Sequence, residues 1–99
     1  MALELGIDPN SKDWNGNSIV ILGAQNNNKS VVKHALWYGG DIDMTNNKGN
    51  TALHYCYEFN YLDLAKYLES KGADKTIKNA YGFLPFEGIW AKRDYFSLD

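Results

Sequence analysis

His34, His54 and Cys56 are the residues of this 99-residue chain whose types commonly supply nucleophiles or soft metal ligands. A nucleophile needs a base within hydrogen-bond reach. His54 and Cys56 stand two positions apart, and on one helix such side chains point in divergent directions, so the pair cannot assemble an activated thiol. The run Asp41-Ile42-Asp43-Met44-Thr45-Asn46 offers the alternating oxygen ligands that a calcium ion takes. Its spacing fails, because the sixth residue, Asn46, should be glycine and the twelfth, Ala52, a bidentate glutamate. With no phosphate-cradling loop or catalytic motif of the usual kinds, the sequence implies no cofactor, no metal and no reaction.

The totals narrow the classes further. A hydrophobic content of 44%, with 14% aromatic, supports one small packed domain. The net charge of −2, from 10 basic and 12 acidic residues without a basic cluster, argues against a nucleic-acid binder. Cys56 is alone and can form no intramolecular disulfide, which fits an intracellular, cytoplasmic setting better than a secreted one. No apolar run is long enough for membrane insertion, and Met1-Ala2-Leu3-Glu4-Leu5 lacks the basic lead and apolar stretch of a signal peptide. Asn28-Lys29-Ser30 matches the glycosylation sequon and is read as an unmodified turn.

The elements that must position any functional residue are clearest at Gly49-Asn50-Thr51-Ala52-Leu53-His54. Gly49 suits a positive-φ turn, and Thr51 can cap a helix starting just after it. Upstream, residues 41–48 are short and polar, as an extended finger or hairpin would be. Downstream, Leu53, Cys56 and Tyr57 fall at helical spacing, as do Leu64, Ala65 and Leu68 before Gly72 ends the run. The unit is finger, helix, turn, helix, glycine, with Asn26-Asn27-Asn28 as the turn between paired helices in the first copy.

This unit repeats. The finger glycine recurs at Gly16, Gly49 and Gly82, and a second series at Gly6, Gly39 and Gly72, all 33 residues apart. Asp8, Asp41 and Asp74 follow the second series, and Asp13, Asn46 and Asn79 precede the first. Gly72-Ala73-Asp74, Gly49-x-Thr51-x-Leu53-His54 and Leu64-Ala65-x-x-Leu68 resemble the ankyrin repeat, at a spacing that matches its period. The resemblance covers nearly the whole chain and implies an all-α solenoid of helix-turn-helix units joined by short finger hairpins. The units would run 6–38, 39–71 and a truncated or capping 72–99, with 1–5 as the end of a preceding repeat. Ser18 and Ile21 replace the threonine and histidine in the first unit, making its first helix less typical. Leu84 and Glu87 replace them in the third, although Pro85 keeps the first-turn proline. The ragged ends fit a segment of a longer array rather than a domain with abbreviated ends. Phe83, Phe86, Trp90, Tyr95 and Phe96 are expected to close the open face.

The same resemblance assigns roles to the three chemical candidates. The histidine matched by His54 ties neighbouring loops together, Cys56 takes the place of a core alanine, and His34 lies on the surface of a second helix. Function is left to the finger tips and inner helices, where ankyrin proteins usually bind partners. By register these are Lys12, Trp14, Asn15 and Asn17, then Thr45, Asn47, Lys48 and Asn50, then Lys78, Ala80, Tyr81 and Phe83. The ends of the first helices add Gln25, Asn26, Glu58, Phe59 and Lys92. Trp14, Phe59 and Tyr81 read either as contact anchors or as local packing, and Phe83 as packing against the shortened end. Lys12, Lys48 and Lys78 give a mildly basic rim suited to an acidic segment. The implied function is a non-enzymatic, monomeric protein-protein interaction module. The alternatives are a regulatory or targeting segment of a larger enzyme and a structural, self-stacking repeat.

Overall fold

The computed structural model describes residues 8–89. The partial repeat assigned to 1–5, the glycine at position 6, and Trp90, Lys92, Tyr95 and Phe96 lie outside them. Among the described residues four helices follow in order, α1 (Ile19–Gln25), α2 (Lys29–Trp37), α3 (Ala52–Glu58) and α4 (Leu62–Ser70), and a 3-10 turn spans Pro85–Glu87. The fold is an all-α solenoid of helix-turn-helix units.

Helix starts follow from capping. α3 begins directly after Thr51, whose hydroxyl accepts from the His54 N–H at 3.3 Å while His54 Nδ1 accepts from the Thr51 N–H at 3.1 Å. Two backbone donors without intrahelical partners are thereby satisfied reciprocally. In α1 the hydroxyl of Ser18 accepts from the Ile21 N–H at 3.3 Å, but Ile21 has no acceptor to return. Only half of the reciprocal cap survives there, and α1 is nonetheless as long as α3, at seven residues. Between paired helices Asn27 and Asn60 take φ of 51° and 61°, the left-handed angles that asparagine tolerates best after glycine.

The packing has two layers. α1 packs against α2 and α3, and α3 packs in turn against α4 and the 3-10 turn, so α1, α3 and the turn form an inner row backed by α2 and α4. The core is small and mostly aliphatic, one cluster that joins Val20, Ile21 and Ala24 of α1, Val32 and Ala35 of α2, Ala52, Leu53 and Cys56 of α3, and Leu64, Ala65 and Leu68 of α4, with Tyr55 also buried in it. Leu53, Cys56, Leu64, Ala65 and Leu68 are positions the helical spacing selects, with Tyr57 half-buried at the margin. The third unit departs from its predecessors. Its first helix is reduced to the single turn at Pro85–Glu87, followed by Gly88 at φ 92°. Glu87 Oε1 accepts from the Leu84 N–H at 2.7 Å, the half of the reciprocal cap that His54 supplies in α3, while Leu84 has no hydroxyl to supply the threonine's half. Of the expected closing aromatics within the described residues, Phe83 is half-buried and Phe86 is exposed.

Candidate protein-binding surface

Each finger is a tight turn held by one side chain. Asp13 Oδ1 accepts from the N–H groups of Asn15 (2.9 Å) and Asn17 (2.8 Å). Asn46 Oδ1 does the same for Lys48 (3.1 Å) and Asn50 (3.0 Å), and Asn79 Oδ1 for Tyr81 and Phe83, both at 3.0 Å. The loop closes through backbone bonds from Asn46 N–H to the Asn50 carbonyl and from Gly49 N–H to the Asn46 carbonyl. No residue of these fingers is in a strand among the described residues.

The fingers are also joined to one another. The Asn47 N–H donates to the Asn15 carbonyl and the Ala80 N–H to the Lys48 carbonyl, both at 2.9 Å. Beneath these bonds runs a buried carboxamide stitch. Asn46 Nδ2 donates to Asn17 Oδ1 at 2.9 Å and to the Tyr55 hydroxyl at 2.7 Å, and Asn79 Nδ2 donates to Asn50 Oδ1 at 2.8 Å. Asp13 has no amide to donate and Phe83 no side-chain acceptor, so among the described fingers the stitch has two rungs.

These bonds sort the predicted contact residues. Asn17 and Asn50, placed by register among the exposed finger positions, are buried, Asn50 to 1% exposure, with their side-chain oxygens taken by the stitch. The register was right and the exposure wrong, because closing the loop turns the residue after each finger glycine inward. Glu58 is half-buried and its Oε1 accepts from the Ile89 N–H at 3.1 Å. Lys12 is exposed, but its Nζ donates to the Thr45 carbonyl at 2.6 Å, pinning its charge between two fingers. Thr45 is half-buried. Trp14 (98% exposed), Asn15, Asn47, Lys48, Lys78 and Tyr81 (61%) face solvent. Phe59 is 45% exposed, stacks on Tyr55 with centroids 6.1 Å apart and meets Tyr61 in a tilted contact at 5.7 Å.

Two hollows lie along the fingers, the first of them reaching the inner row at Gln25 and Tyr55. The first, about 330 Å³, is lined by Asn15, Asn17, Gln25, Asn46, Asn47, Lys48 and Tyr55. The second, about 260 Å³, is lined by Lys48, Asn50, Tyr81 and Ile89. Tyr55 and Ile89 were not singled out from the sequence. Tyr55 sits at helical spacing among core residues, which hides that its hydroxyl borders a polar hollow. A further hollow on the outer row involves Lys33, His34, Trp37 and Tyr38, with Trp37 83% exposed. His34 is at the surface as expected.

The three chemical candidates are accounted for. Burial pushes the Cys56 thiol up to about 12, which leaves almost no thiolate near neutrality. Among the described residues no group of three or more His, Cys, Asp or Glu could hold a metal ion. No helix of the described residues is long and apolar enough to cross a membrane. His54 is fully buried and joins two units, its Nε2 lying 2.9 Å from the Phe83 carbonyl. Because Nδ1 accepts from the Thr51 N–H, the proton of the neutral ring resides on Nε2 and is donated to Phe83.

Burial lowers the pKa of His54 below 6.5, opposed in part by the bond to Phe83. The unfolded chain, titrating near the ordinary value of about 6.5, then takes up a proton that the folded ring refuses. The His54 contribution is complete above pH 6.5 and is lost as the pH falls toward the depressed folded value. Thermal unfolding midpoints should therefore drop from pH 7.5 to pH 5. His54→Gln, less stable throughout, should show a shallower drop over the same interval.

A family model described as ankyrin repeats (3 copies) matches residues 1–79. The chain is 34% identical over 76 residues to the human SH3 and multiple ankyrin repeat domains protein 2, covering 77% of this chain and 4% of that protein. It is 40% identical over 62 residues to the human protein phosphatase 1 regulatory subunit 27, covering 63% of this chain and 40% of that one. An ankyrin repeat-containing protein of Schizosaccharomyces pombe is 30% identical over 94 residues, covering 94% of this chain and 44% of its own length. The chain thus spans less than half of each of these relatives. The matched span includes the Gly49 turn, the Thr51 cap and His54, whose ring reaches the Phe83 carbonyl of the third unit, and this chain belongs to the ankyrin repeat family.

Proposed function

We propose that this chain is a non-enzymatic module that binds a partner protein through its finger tips and the hollows along the fingers. Ankyrin repeats are protein-interaction modules in general. The observation that carries the reading here is that Trp14, Asn15, Asn47, Lys48 and Tyr81 project into solvent from fingers whose backbones are bonded to one another. Side chains held on such a frame lose little backbone freedom when a partner docks, so more of the contact energy appears as affinity. The inert Cys56 thiol and the engaged His54 ring support the absence of catalysis.

The units are taken as 6–38, 39–71 and 72–99, with 1–5 closing a preceding repeat. The partner is a protein segment carrying acid, the module acts as a monomer, and its setting is the cytoplasm. The likeness to a phosphatase regulatory subunit, over 40% of that protein's length, favours one second reading, a regulatory segment of a larger enzyme assembly.

Affinity capture with paired baits tests the proposal. Trp14→Ala combined with Lys48→Ala should leave the unfolding midpoint within about 2 °C of wild type, since neither side chain is buried. The same variant should recover partner at least about tenfold less efficiently, as expected when an aromatic anchor and a charge are both removed. Equal recovery on both baits would place binding elsewhere, with the outer-row hollow at Trp37 the next surface to test.

A further inference from the structure

We infer that the partner segment is an extended peptide with a single acidic side chain seated on Lys48, a carboxamide or hydroxyl residue on one side of it and an aliphatic or aromatic residue on the other. This rests on the interaction reading above and specifies the chemistry of the same surface.

Lys48 lines both hollows and separates them. One hollow lies between the first and second fingers, and its other lining groups are carboxamides and the Tyr55 side chain. The other lies between the second and third fingers and is lined, besides Lys48, by Asn50 and by Tyr81 and Ile89, whose side chains give it the apolar surface that the first hollow lacks. Among the described residues no acidic side chain lines either. Of the three rim lysines, Lys12 has its ammonium bound at the Thr45 carbonyl, and Lys78 borders neither hollow. The Lys48 side chain makes no hydrogen bond or ion pair among the described residues; only its backbone groups are engaged. Among the described residues the lining of the two hollows therefore presents one formal charge, that of Lys48, and one partner carboxylate complements it. A second acid on either side would meet a carboxamide hollow or an apolar one with no cation to pair, at a desolvation penalty.

Spacing supports an extended occupant. Adjacent fingers are joined by backbone hydrogen bonds, as neighbouring strands are, which sets their backbones about 5 Å apart at the tips. An extended peptide advances about 3.3 Å per residue, so the groups entering the two hollows stand within about two residues of the acid. The partner's motif is consequently short and asymmetric: polar, acidic, apolar.

The test is selection from a displayed library of random decapeptides against the full chain and against Lys48→Glu, with unfolding curves showing both baits folded. On wild type, enriched sequences should share one Asp or Glu flanked by Asn, Gln, Ser or Thr on one side and by an aliphatic or aromatic residue on the other. A wild-type-selected peptide should bind Lys48→Glu about tenfold more weakly or worse, because attraction becomes repulsion. The variant's own enriched set should exchange the acid for Lys or Arg. Enriched peptides that lack the acid, or bind both baits equally, would overturn this inference while leaving the interaction module standing. A library that yields no enriched peptide on the folded wild type would count against both.

Discussion

Gly49→Ala should lower stability by about 3 kcal/mol, whereas Gly82→Ala, in the equivalent turn one unit later, should lower it by only about 1 kcal/mol. Both glycines hold left-handed φ, +76° and +84°, so an L side chain brings a similar backbone strain at each. They differ in what a Cβ would meet. At Gly49 it would lie 2.8 Å from the Ala80 nitrogen and 3.1 Å from the Asn79 Cα, both main-chain atoms of the next finger, whereas at Gly82 no atom of the described residues lies within 4 Å. Main-chain atoms cannot rotate aside. Relief at Gly49 requires the second and third fingers to separate, which stretches the bond from the Ala80 N–H to the Lys48 carbonyl and disturbs the stitch below it. Chemical denaturation of the two variants checks this. Equal losses would mean that the fingers are not held together as described.

Asn46→Ala should cost about 3 kcal/mol or more, and Asn46→Asp roughly half of that. The alanine leaves two backbone N–H groups, of Lys48 and Asn50, without their acceptor and removes the donor used by Asn17 Oδ1 and the Tyr55 hydroxyl. Each orphaned group in a buried setting forfeits about 1–3 kcal/mol, moderated where water reaches the turn. Aspartate keeps the acceptor and loses only the stitch, and the first finger shows the substitution in place: Asp13 holds its own turn with a carboxylate. Equilibrium unfolding ranks the three proteins. If aspartate proved as damaging as alanine, the rung to Asn17 would outweigh the turn.

The frame was legible because its constraints are local. A glycine every 33 residues, a threonine three before a histidine and aliphatic residues at helical spacing each arise from a backbone or packing need, and α3 begins where that reasoning places it. The candidate surface was legible only in part. Trp14, Lys48 and Tyr81 stand exposed at the tips, but Asn17 and Asn50 occupy the same short loops and point inward. A polar residue beside a turn gives no local sign of which way it faces. The sign lies between units, where Asn17 pairs with Asn46 and Asn50 with Asn79 at one separation of 29 residues. The tethering of one rim lysine was hidden for a related reason. Lys12 reads as a free cation until the next finger brings the Thr45 carbonyl within 2.6 Å. The shortening of the third unit's first helix to a 3-10 turn also escaped the spacing, which sees Pro85 as a good start but not the positive φ of Gly88 that ends the turn.

The central claim is a division of labour between an asparagine stitch that holds the fingers and exposed tips that contact a partner. Its most direct measurement sets partner capture beside thermal unfolding for wild type, for Trp14→Ala with Lys48→Ala, and for Asn46→Ala. The account predicts that the tip variant unfolds with the wild type and loses capture, while the stitch variant unfolds many degrees lower and, at temperatures where it remains folded, still captures. A tip variant that captures as well as wild type, or that unfolds as early as the stitch variant, would contradict it.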